Sequence, residues 1–266
     1  MKTRVISAIV LVLILLPLYL HGGVPYSIGV FLLGMLGIKE YLDMKENEKE
    51  LPIFIKLISY LCIPLIILNV EVTKTSILSM DFRIITGLFL VLLLPMVIFH
   101  EKDAYNISDA CYVTTGVLFV GMSMSFLITY YNMNREILLY LLCITVFTDT
   151  FALFTGQLIG RNKLAEAISP KKTWEGFVGG TLLGTFIAVM FYKTVINPEV
   201  VMSNLICITL FLSIIGQLGD LFFSAIKRHY SKKDFSNIIP GHGGILDRLD
   251  SIIFVMLAFS LFINLL

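Results

Sequence analysis

The sequence has little charge: 15% of its 266 residues are Asp, Glu, Lys or Arg, whereas about 25% is usual in a water-soluble domain. The net charge of +1 lacks the basic excess of a nucleic-acid-binding protein, so we expect no nucleic acid among its partners. Low-complexity tracts and linkers rich in Pro, Gly and Ser are also missing, which argues against disorder. An integral membrane protein is the class that fits this composition.

Cysteine is scarce as well. Cys62, Cys111, Cys143 and Cys207 lie far apart within apolar runs, and no Cys/His cluster surrounds them. The spacing predicts neither a disulfide framework nor a zinc site, and small apolar packing residues are the simplest interpretation.

Long apolar runs dominate the sequence instead, since 57% of the residues are hydrophobic. At roughly 20 residues per transmembrane helix, the sequence predicts an all-α, polytopic integral membrane protein with about nine transmembrane helices. The predicted spans are residues 4–20, 25–42, 52–70, 82–99, 109–130, 136–159, 174–195, 203–226 and 245–265.

The basic residues are unevenly distributed about these spans. With nine spans, 16 of the 20 Lys and Arg residues fall on the side of the N-terminus. The other side holds only Lys74, Arg83, Arg135 and Lys193. Because loops rich in Lys and Arg stay in the cytoplasm, we expect a cytoplasmic N-terminus and an external C-terminus.

Ionisable residues within apolar helices are concentrated in the second half of the chain, where each costs on the order of 3 kcal/mol at mid-membrane. Asp149 is the first, flanked by Thr148, Thr150 and Gln157. It is either a functional carboxylate or a buried one bonded to neighbouring hydroxyls. By contrast, the charged segment Lys39–Glu50 is most simply a solvated turn.

The segment Ser169–Gly176 is the second polar region. Ser169 followed by Pro170 is typical of a helix N-terminus, and Lys171 and Lys172 would add positive charge to an anion site there. The alternative is an interfacial segment anchored by Trp174.

The third and densest region is Gly216–Ser251. Helical spacing places Asp220 and Lys227 on one face, and Asp247 and Asp250 on one face of the following helix. Between them, the turn Pro240–Gly244 could cradle a phosphate with its backbone N–H groups. Carboxylates beside basic residues are typical of Mg²⁺-dependent phosphoryl or nucleotidyl transfer. His242 is either an acid/base group or a hydrogen-bonding loop residue.

At these residues the sequence resembles the bacterial CDP-diglyceride synthetases, also called phosphatidate cytidylyltransferases. The family signature is matched by Ser224, Ile226, Lys227, Arg228, Lys233, Asp234, Ser236, Ile239, Pro240, His242, Gly243, Gly244, Ile245, Asp247, Arg248, Leu249 and Asp250. Upstream elements match at Asp149, Thr150, Ala152, Ser169, Pro170, Lys172, Thr173, Trp174 and Gly176. The resemblance covers roughly residues 145–251, whereas residues 1–140 match only in being hydrophobic.

The resemblance implies that CTP and phosphatidate react to give CDP-diacylglycerol and pyrophosphate, with Mg²⁺ as cofactor and the use of a second cation left open. It implies an enzyme of the cell membrane, and homodimerisation as a family-level expectation. The uneven distribution of Lys and Arg predicts that the active site lies on the cytoplasmic side. Residues 1–135 would form a scaffold of membrane helices, and residues 136–266 would carry the catalytic site and cytoplasmic loops.

The site residues follow from the same resemblance. The expected metal ligands are Asp220, Asp247 and Asp149. The expected catalytic residues are Asp220, Asp247, Lys227, Arg228, Asp250 and His242. The expected substrate- and phosphate-binding residues are Ser169, Lys171, Lys172, Thr173, Ser224, Lys233, Asp234, Gly243, Gly244 and Arg248.

Two residues depart from the family pattern: Phe223 stands where the family usually has Glu, and Leu153 where it often has an aromatic residue. Phe223 cannot ligate a metal, so any role of that Glu is lost or moved. A cation-coupled transporter is the rival interpretation. It accounts for Asp149 and Asp220 but not for the Pro240–Gly244 turn or the clustered basic residues.

Overall fold

The computed structural model describes residues 2–72, 82–99, 104–263 and 265–266, which are almost entirely helical. The helices are α1 Lys2–His21, α2 Gly23–Glu46, α3 Ile53–Val72, α4 Phe82–Leu93, α5 Pro95–Phe99, α6 Ile107–Met133, α7 Arg135–Ile159, α8 Trp174–Phe191, α9 Met202–His229 and α10 Leu246–Phe259. A π-helical turn, Tyr192–Ile196, extends α8. Strands β1 Lys163–Ala165 and β2 Ser169–Thr173 form an antiparallel hairpin.

Each predicted apolar stretch contains a helix in the part of the chain that the structure describes. The stretch 82–99 is divided at Leu94, because Pro95 has no N–H to continue the helical hydrogen bonds. Four helical segments are long and apolar enough to cross a membrane: Ile107–Met133, Arg135–Ile159, Trp174–Ile196 and Met202–His229. Shorter apolar helices accompany them, so the protein has the helices of a membrane protein. The count of nine spans and the sides of the termini stay predictions.

The chain divides into two compact units. Unit 1 comprises Met1–Thr129 with Asp234–Arg248, and unit 2 comprises Tyr130–Lys233 with Leu249–Leu266. Two of the boundaries therefore fall within α6 and α10, and the third lies in the loop between α9 and α10. The division by role at residue 135 stays a prediction.

In unit 1, aromatic contacts fix helix α2 against α6. The Tyr41 and Tyr112 rings stack with their centroids 4.3 Å apart, and the Tyr112 hydroxyl donates to the Tyr41 carbonyl at 2.9 Å. A Cβ atom at Gly116 would overlap the Tyr41 ring, so glycine is required for this close approach. The contact also fixes the position of Glu40, the neighbour of Tyr41 on α2.

In unit 2, helices α7 and α8 pack backbone against backbone. Gly176, Gly180 and Gly184 recur every four residues along α8. A Cβ at Gly180 would lie 2.6 Å from the Thr148 carbonyl, and one at Gly176 would lie 2.6 Å from the Ala152 carbonyl. Such stripes of small residues permit the close helix contacts common in membranes. Helix α7 carries Asp149 in the same turn as Thr148.

The expected helix start at Ser169 was wrong. Ser169–Thr173 is strand β2, and Thr173 is the N-cap of α8, where its hydroxyl accepts from the Gly176 N–H at 3.1 Å. The Ser-Pro pair is compatible with both structures, and pairing with β1 decides for the strand. Glu175 ties the hairpin to α8, because its carboxylate accepts from the Arg161 and Asn162 N–H groups.

Candidate active site

Three carboxylates of unit 2, Asp149 on α7, Asp220 on α9 and Asp250 on α10, lie within electrostatic range of one another. We call these three residues the aspartate cluster. Asp220 has the closest cation, because Lys172 Nζ lies 2.6 Å from its Oδ2. The three carboxylates repel one another, and Lys172 and Lys227 interact electrostatically with members of the cluster. Positive charge therefore offsets the repulsion within the cluster.

Hydroxyl groups complete the surroundings of the cluster. Ser224 Oγ donates to Asp220 Oδ1 at 3.3 Å, one helical turn away. Ser251 Oγ donates to Asp149 Oδ2 at 3.5 Å. The threonines beside Asp149 bond elsewhere: Thr148 pairs with Ser213 and Thr150 with the Val146 carbonyl. Asp149 therefore bonds to a hydroxyl of α10 and not to the threonines beside it in sequence, and its functional role stays a prediction.

Strand β2 supplies the lysine that pairs with Asp220. Successive side chains of a strand point to opposite faces, so Lys171 and Lys172 diverge. Lys171 is exposed, whereas Lys172 is only 25% exposed and contacts Asp220. Of these two predicted phosphate-binding residues, the structure brings Lys172 to the cluster.

The basic residues at the end of α9 have different surroundings. Lys227 is 7% exposed and interacts with Asp250. Arg228 is exposed and donates to two carbonyls, those of Ile168 in the hairpin turn and Lys232. Lys233 is exposed. Only Lys227 of these three is shown beside the aspartate cluster, and phosphate binding by all three stays a prediction.

In unit 1, the predicted glycine turn closes tightly on itself. The Ile239 N–H donates to the Gly243 carbonyl at 2.9 Å, and the His242 and Gly243 N–H groups donate to the Ile239 carbonyl. Gly241 and Gly243 have φ values of 78° and 87°, a region that side chains other than glycine rarely adopt. The turn therefore depends on these two glycines.

Two carboxylates accept hydrogen bonds from N–H groups around the start of α10. Asp247 Oδ2 accepts from Phe235 N and Gly244 N, both at 2.8 Å. Glu40 Oε1 and Oε2 accept from Ile245 N and Leu246 N, each at 2.9 Å. All N–H groups from His242 to Leu246 thus have a partner within the protein. A phosphate could use the Gly243 and Gly244 amides, as the sequence led us to expect, only by displacing these bonds.

Glu40 is the residue that the sequence analysis missed. Its side chain is 1% exposed, and Lys45 in the same segment is 6% exposed, so the interpretation of Lys39–Glu50 as a solvated turn was wrong. Lys45 and Lys49 pair with the buried Asp109 carboxylate at 3.0 Å and 2.8 Å. One sequence signal was available: Gly37, Tyr41 and Met44 form a buried helical face that includes Glu40.

His242 and Arg248 both serve the turn. Ser7 Oγ donates to the Pro240 carbonyl at 2.9 Å and lies 2.7 Å from His242 Nδ1. Because the one hydroxyl hydrogen is engaged, Nδ1 is the donor to Ser7 Oγ. Arg248 donates through Nε and Nη2 to the His242 carbonyl, at 3.0 Å and 2.6 Å. The interpretation of His242 as a hydrogen-bonding loop residue gains support, and its catalytic role stays a prediction.

Three further predicted residues complete the set. Ser169 is half-buried at the start of β2, Thr173 caps α8, and Asp234 is exposed with its Cβ beside Gly243.

Carboxylate oxygens, such as those of the aspartate cluster, are the kind of ligand that Mg²⁺ prefers. Among the described residues, no group of three or more His, Cys, Asp or Glu side chains is arranged to hold a metal ion. Mg²⁺ does not need three, because it usually takes one or two carboxylates together with substrate phosphates and water. Asp220 and Asp149 provide two such oxygen donors in one unit, whereas one oxygen of Asp247 is engaged with backbone amides. The ligand set stays a prediction.

Phe223 belongs to the core of unit 2. It is fully buried, and its ring meets Phe222 and Phe254 edge to face at 5.7 Å and 6.0 Å. The side chain that replaces the usual Glu therefore packs α9 against α10 and offers no ligand.

Comparison with known proteins extends the match beyond the motifs. A model described as the cytidylyltransferase family matches residues 2–266. The chain belongs to the cytidylyltransferase family. The phosphatidate cytidylyltransferase of Bacillus subtilis (strain 168) is 36% identical over 262 residues, covering 96% of this chain and 95% of that protein. That of Staphylococcus haemolyticus (strain JCSC1435) is 35% identical over 262 residues, with 96% of each chain covered.

These cytidylyltransferase matches confirm the resemblance seen in the motifs and correct its extent. The alignments cover nearly the whole chain, whereas the sequence analysis found only general hydrophobicity in residues 1–140. Family membership therefore includes the helix that carries Glu40.

Proposed function

We propose that this member of the cytidylyltransferase family transfers the cytidylyl group of CTP to phosphatidate, giving CDP-diacylglycerol and pyrophosphate. The observation that carries the proposal is the match, at 33–36% identity over 96% of the chain, to proteins named phosphatidate cytidylyltransferase. The pairing of Lys172 with Asp220 beside two further aspartates supports it, because phosphate chemistry needs such opposed charges.

The reaction joins two anions. A phosphate oxygen of phosphatidate forms a bond to the α-phosphorus of CTP, and the bond from that phosphorus to the α,β-bridging oxygen breaks. Its electron pair leaves with pyrophosphate. A phosphate monoester has a second pKa of about 6 and is mostly ionised at pH 7, so it needs no strong general base. The site must chiefly reduce the repulsion between the two substrates.

The residues of unit 2 divide this work. Lys172 and Lys227 supply positive charge to phosphate oxygens, and Ser224 orients Asp220 through its hydroxyl. We propose that Asp220 and Asp149 hold Mg²⁺, and Asp247 as a further ligand stays a prediction from the motif. When bound, that ion adds positive charge beside the reacting phosphates. Asp250 supports the cluster electrostatically.

The assay that tests this function uses purified protein in detergent with phosphatidate, Mg²⁺ and CTP radiolabelled at its α-phosphorus. We expect the label to appear in a lipid product only when phosphatidate is present, and a label at the γ-phosphorus to appear in pyrophosphate. A cation-coupled transporter would leave both labels in CTP, which would contradict the proposal.

We further propose nine spans, with the N-terminus and the site in the cytoplasm and the C-terminus outside. The uneven distribution of Lys and Arg supports this topology. Single cysteines at Glu48 and Glu166 in a cysteine-free variant should react with an impermeant thiol reagent only in inside-out vesicles, and one at Glu199 only in right-side-out vesicles. Labelling of all three from the same side would contradict the nine-span topology. The homodimer implied by the family stays a prediction.

A further inference from the structure

We propose that Glu40 is a positioning residue for cytidylyl transfer: it orders the segment Ser236–Leu246, which leads into the motif residues Asp247 and Arg248. The inference rests on the proposed function, and it assigns a role to a residue outside every motif of the signature. The contacts described for Glu40 come from this segment, so we assign it a positioning role.

The contacts of Glu40 come from one segment. Its Oε1 accepts from Ser236 Oγ at 2.6 Å and from Ile245 N at 2.9 Å, and its Oε2 accepts from Leu246 N at 2.9 Å. Three donors therefore converge on a carboxylate that is 1% exposed. A buried acceptor with this many donors is expensive to remove, because each orphaned N–H loses a bond that water cannot replace.

The charge of Glu40 also suits its place. Leu246 begins α10 and Ile245 directly precedes it, and the first N–H groups of a helix form the positive end of its dipole. A carboxylate from a distant helix thus does here what a local N-cap side chain usually does. No side-chain cap from within α10 duplicates these two bonds, because the nearby Asp247 carboxylate accepts from Phe235 and Gly244.

Glu40 and Asp247 hold consecutive amides. Gly244 N bonds to Asp247, and the next two amides bond to Glu40. A Cβ at Gly244 would lie 2.6 Å from Glu40 Oε2, so the carboxylate lies directly against this backbone. Displacement of Ile245 and Leu246 would therefore move the amide that orients Asp247. Misplacement of a reacting group by about 1 Å can cost about 100-fold in rate.

The decisive variant is Glu40→Gln, with Asp43→Asn as its matched control. Glutamine keeps the length but has one oxygen for three donors, so its NH₂ group must face at least one of them. Asp43 is an exposed carboxylate on the same helix, and its replacement removes one negative charge without touching the segment. Both full-length proteins are purified in detergent and assayed for kcat, KM for CTP and KM for phosphatidate.

For Glu40→Gln we expect kcat to fall roughly 10- to 100-fold, with KM for CTP changed less than about threefold. Hydrogen exchange should accelerate at residues 234–248 and not in the hairpin 163–173. The thermal midpoint should fall below that of Asp43→Asn, because at least one buried donor loses its acceptor, so kcat is expressed per folded molecule. A purely structural role predicts normal kcat per folded molecule and faster exchange throughout the chain, and that result would overturn the proposal.

Ser236→Ala covers the case in which Glu40→Gln does not fold. It removes one of the three donors and leaves the carboxylate in place, so we expect a smaller loss of kcat and faster exchange over the same segment. Normal kcat and exchange in Ser236→Ala, or kcat of Glu40→Gln within about twofold of the control, would contradict the role of Glu40. An inactive parent protein would instead refute the proposed function itself, and with it this inference.

Discussion

The two units use their acidic residues differently. In unit 1, Glu40 and Asp247 accept from backbone amides that surround the start of α10. In unit 2, Asp220 and Asp149 accept from side chains only among the bonds described, namely Lys172, Ser224 and Ser251. Glu40 and Asp247 therefore hold the backbone in place, whereas Asp220 and Asp149 place negative charge beside other side chains.

This difference indicates where chemistry is to be expected. A carboxylate bonded to two amides near a helix N-terminus is held by groups that cannot move independently of the backbone. Carboxylates grouped with one another repel, and mobile cations relieve that repulsion. The aspartate cluster is therefore suited to binding a cation or a phosphate network, whereas the Glu40 contacts are suited to holding a loop. Asp247 shares features of both, since it belongs to the motif and also bonds amides.

The largest effect is expected for Asp220→Asn. The change removes the partner of Lys172 at 2.6 Å and one charge of the aspartate cluster. Loss of a ligand carboxylate costs several kcal/mol of transition-state stabilisation, so turnover should fall about 1,000-fold or more. The measurement is lipid product formed from α-labelled CTP. Glu199→Gln, an exposed carboxylate of the same unit, should behave as the parent. Retention of a tenth of the activity by Asp220→Asn would remove it from the ligand set.

Asp247→Asn tests whether Asp247 does more than hold the Phe235 and Gly244 amides in place. The asparagine Oδ1 can still accept from both Phe235 N and Gly244 N, so the loop should persist while the charge is lost. We expect at least a tenfold loss of turnover, with the free energy of unfolding within about 1 kcal/mol of the parent. Chemical denaturation and the product assay measure the two quantities. Near-normal turnover would place Asp247 with Glu40, as a residue that acts through the backbone alone.

Much of the fold could be predicted because its causes are local. Apolar runs of about 20 residues, separated by Gly and Pro, determine where helices α1 to α10 lie. Residues 169–173 show the limit of local reasoning. Ser-Pro opens a helix or continues a strand, and only the partner strand Lys163–Ala165 decides between them.

The partners of Glu40 could not be predicted from sequence because they are remote. Ser236 is 196 positions away, and Ile245 and Leu246 are more than 200 away. Its neighbours Lys39 and Asp43 are charged and exposed, so the sequence pattern around Glu40 is that of a solvated segment, although Glu40 itself is buried. The phosphate cradle at Gly243 and Gly244 was a sound inference from composition. It did not foresee that the Asp247 carboxylate would engage the Gly244 amide and the Ile239 carbonyl the Gly243 amide.

The smallest effect is expected for Lys227→Gln, because it changes the charge beside the aspartate cluster without removing one of the three carboxylates. Lys227 is 7% exposed and acts on Asp250, so loss of its charge leaves the carboxylates less compensated. We expect kcat/KM for CTP to fall about tenfold and stability to fall by about 1–2 kcal/mol. Lys193→Gln, which removes a half-buried lysine outside the candidate site, should match the parent in kinetics. Unchanged CTP kinetics in Lys227→Gln, with altered stability alone, would show that this lysine serves packing, as an apolar stem with a charged end often does.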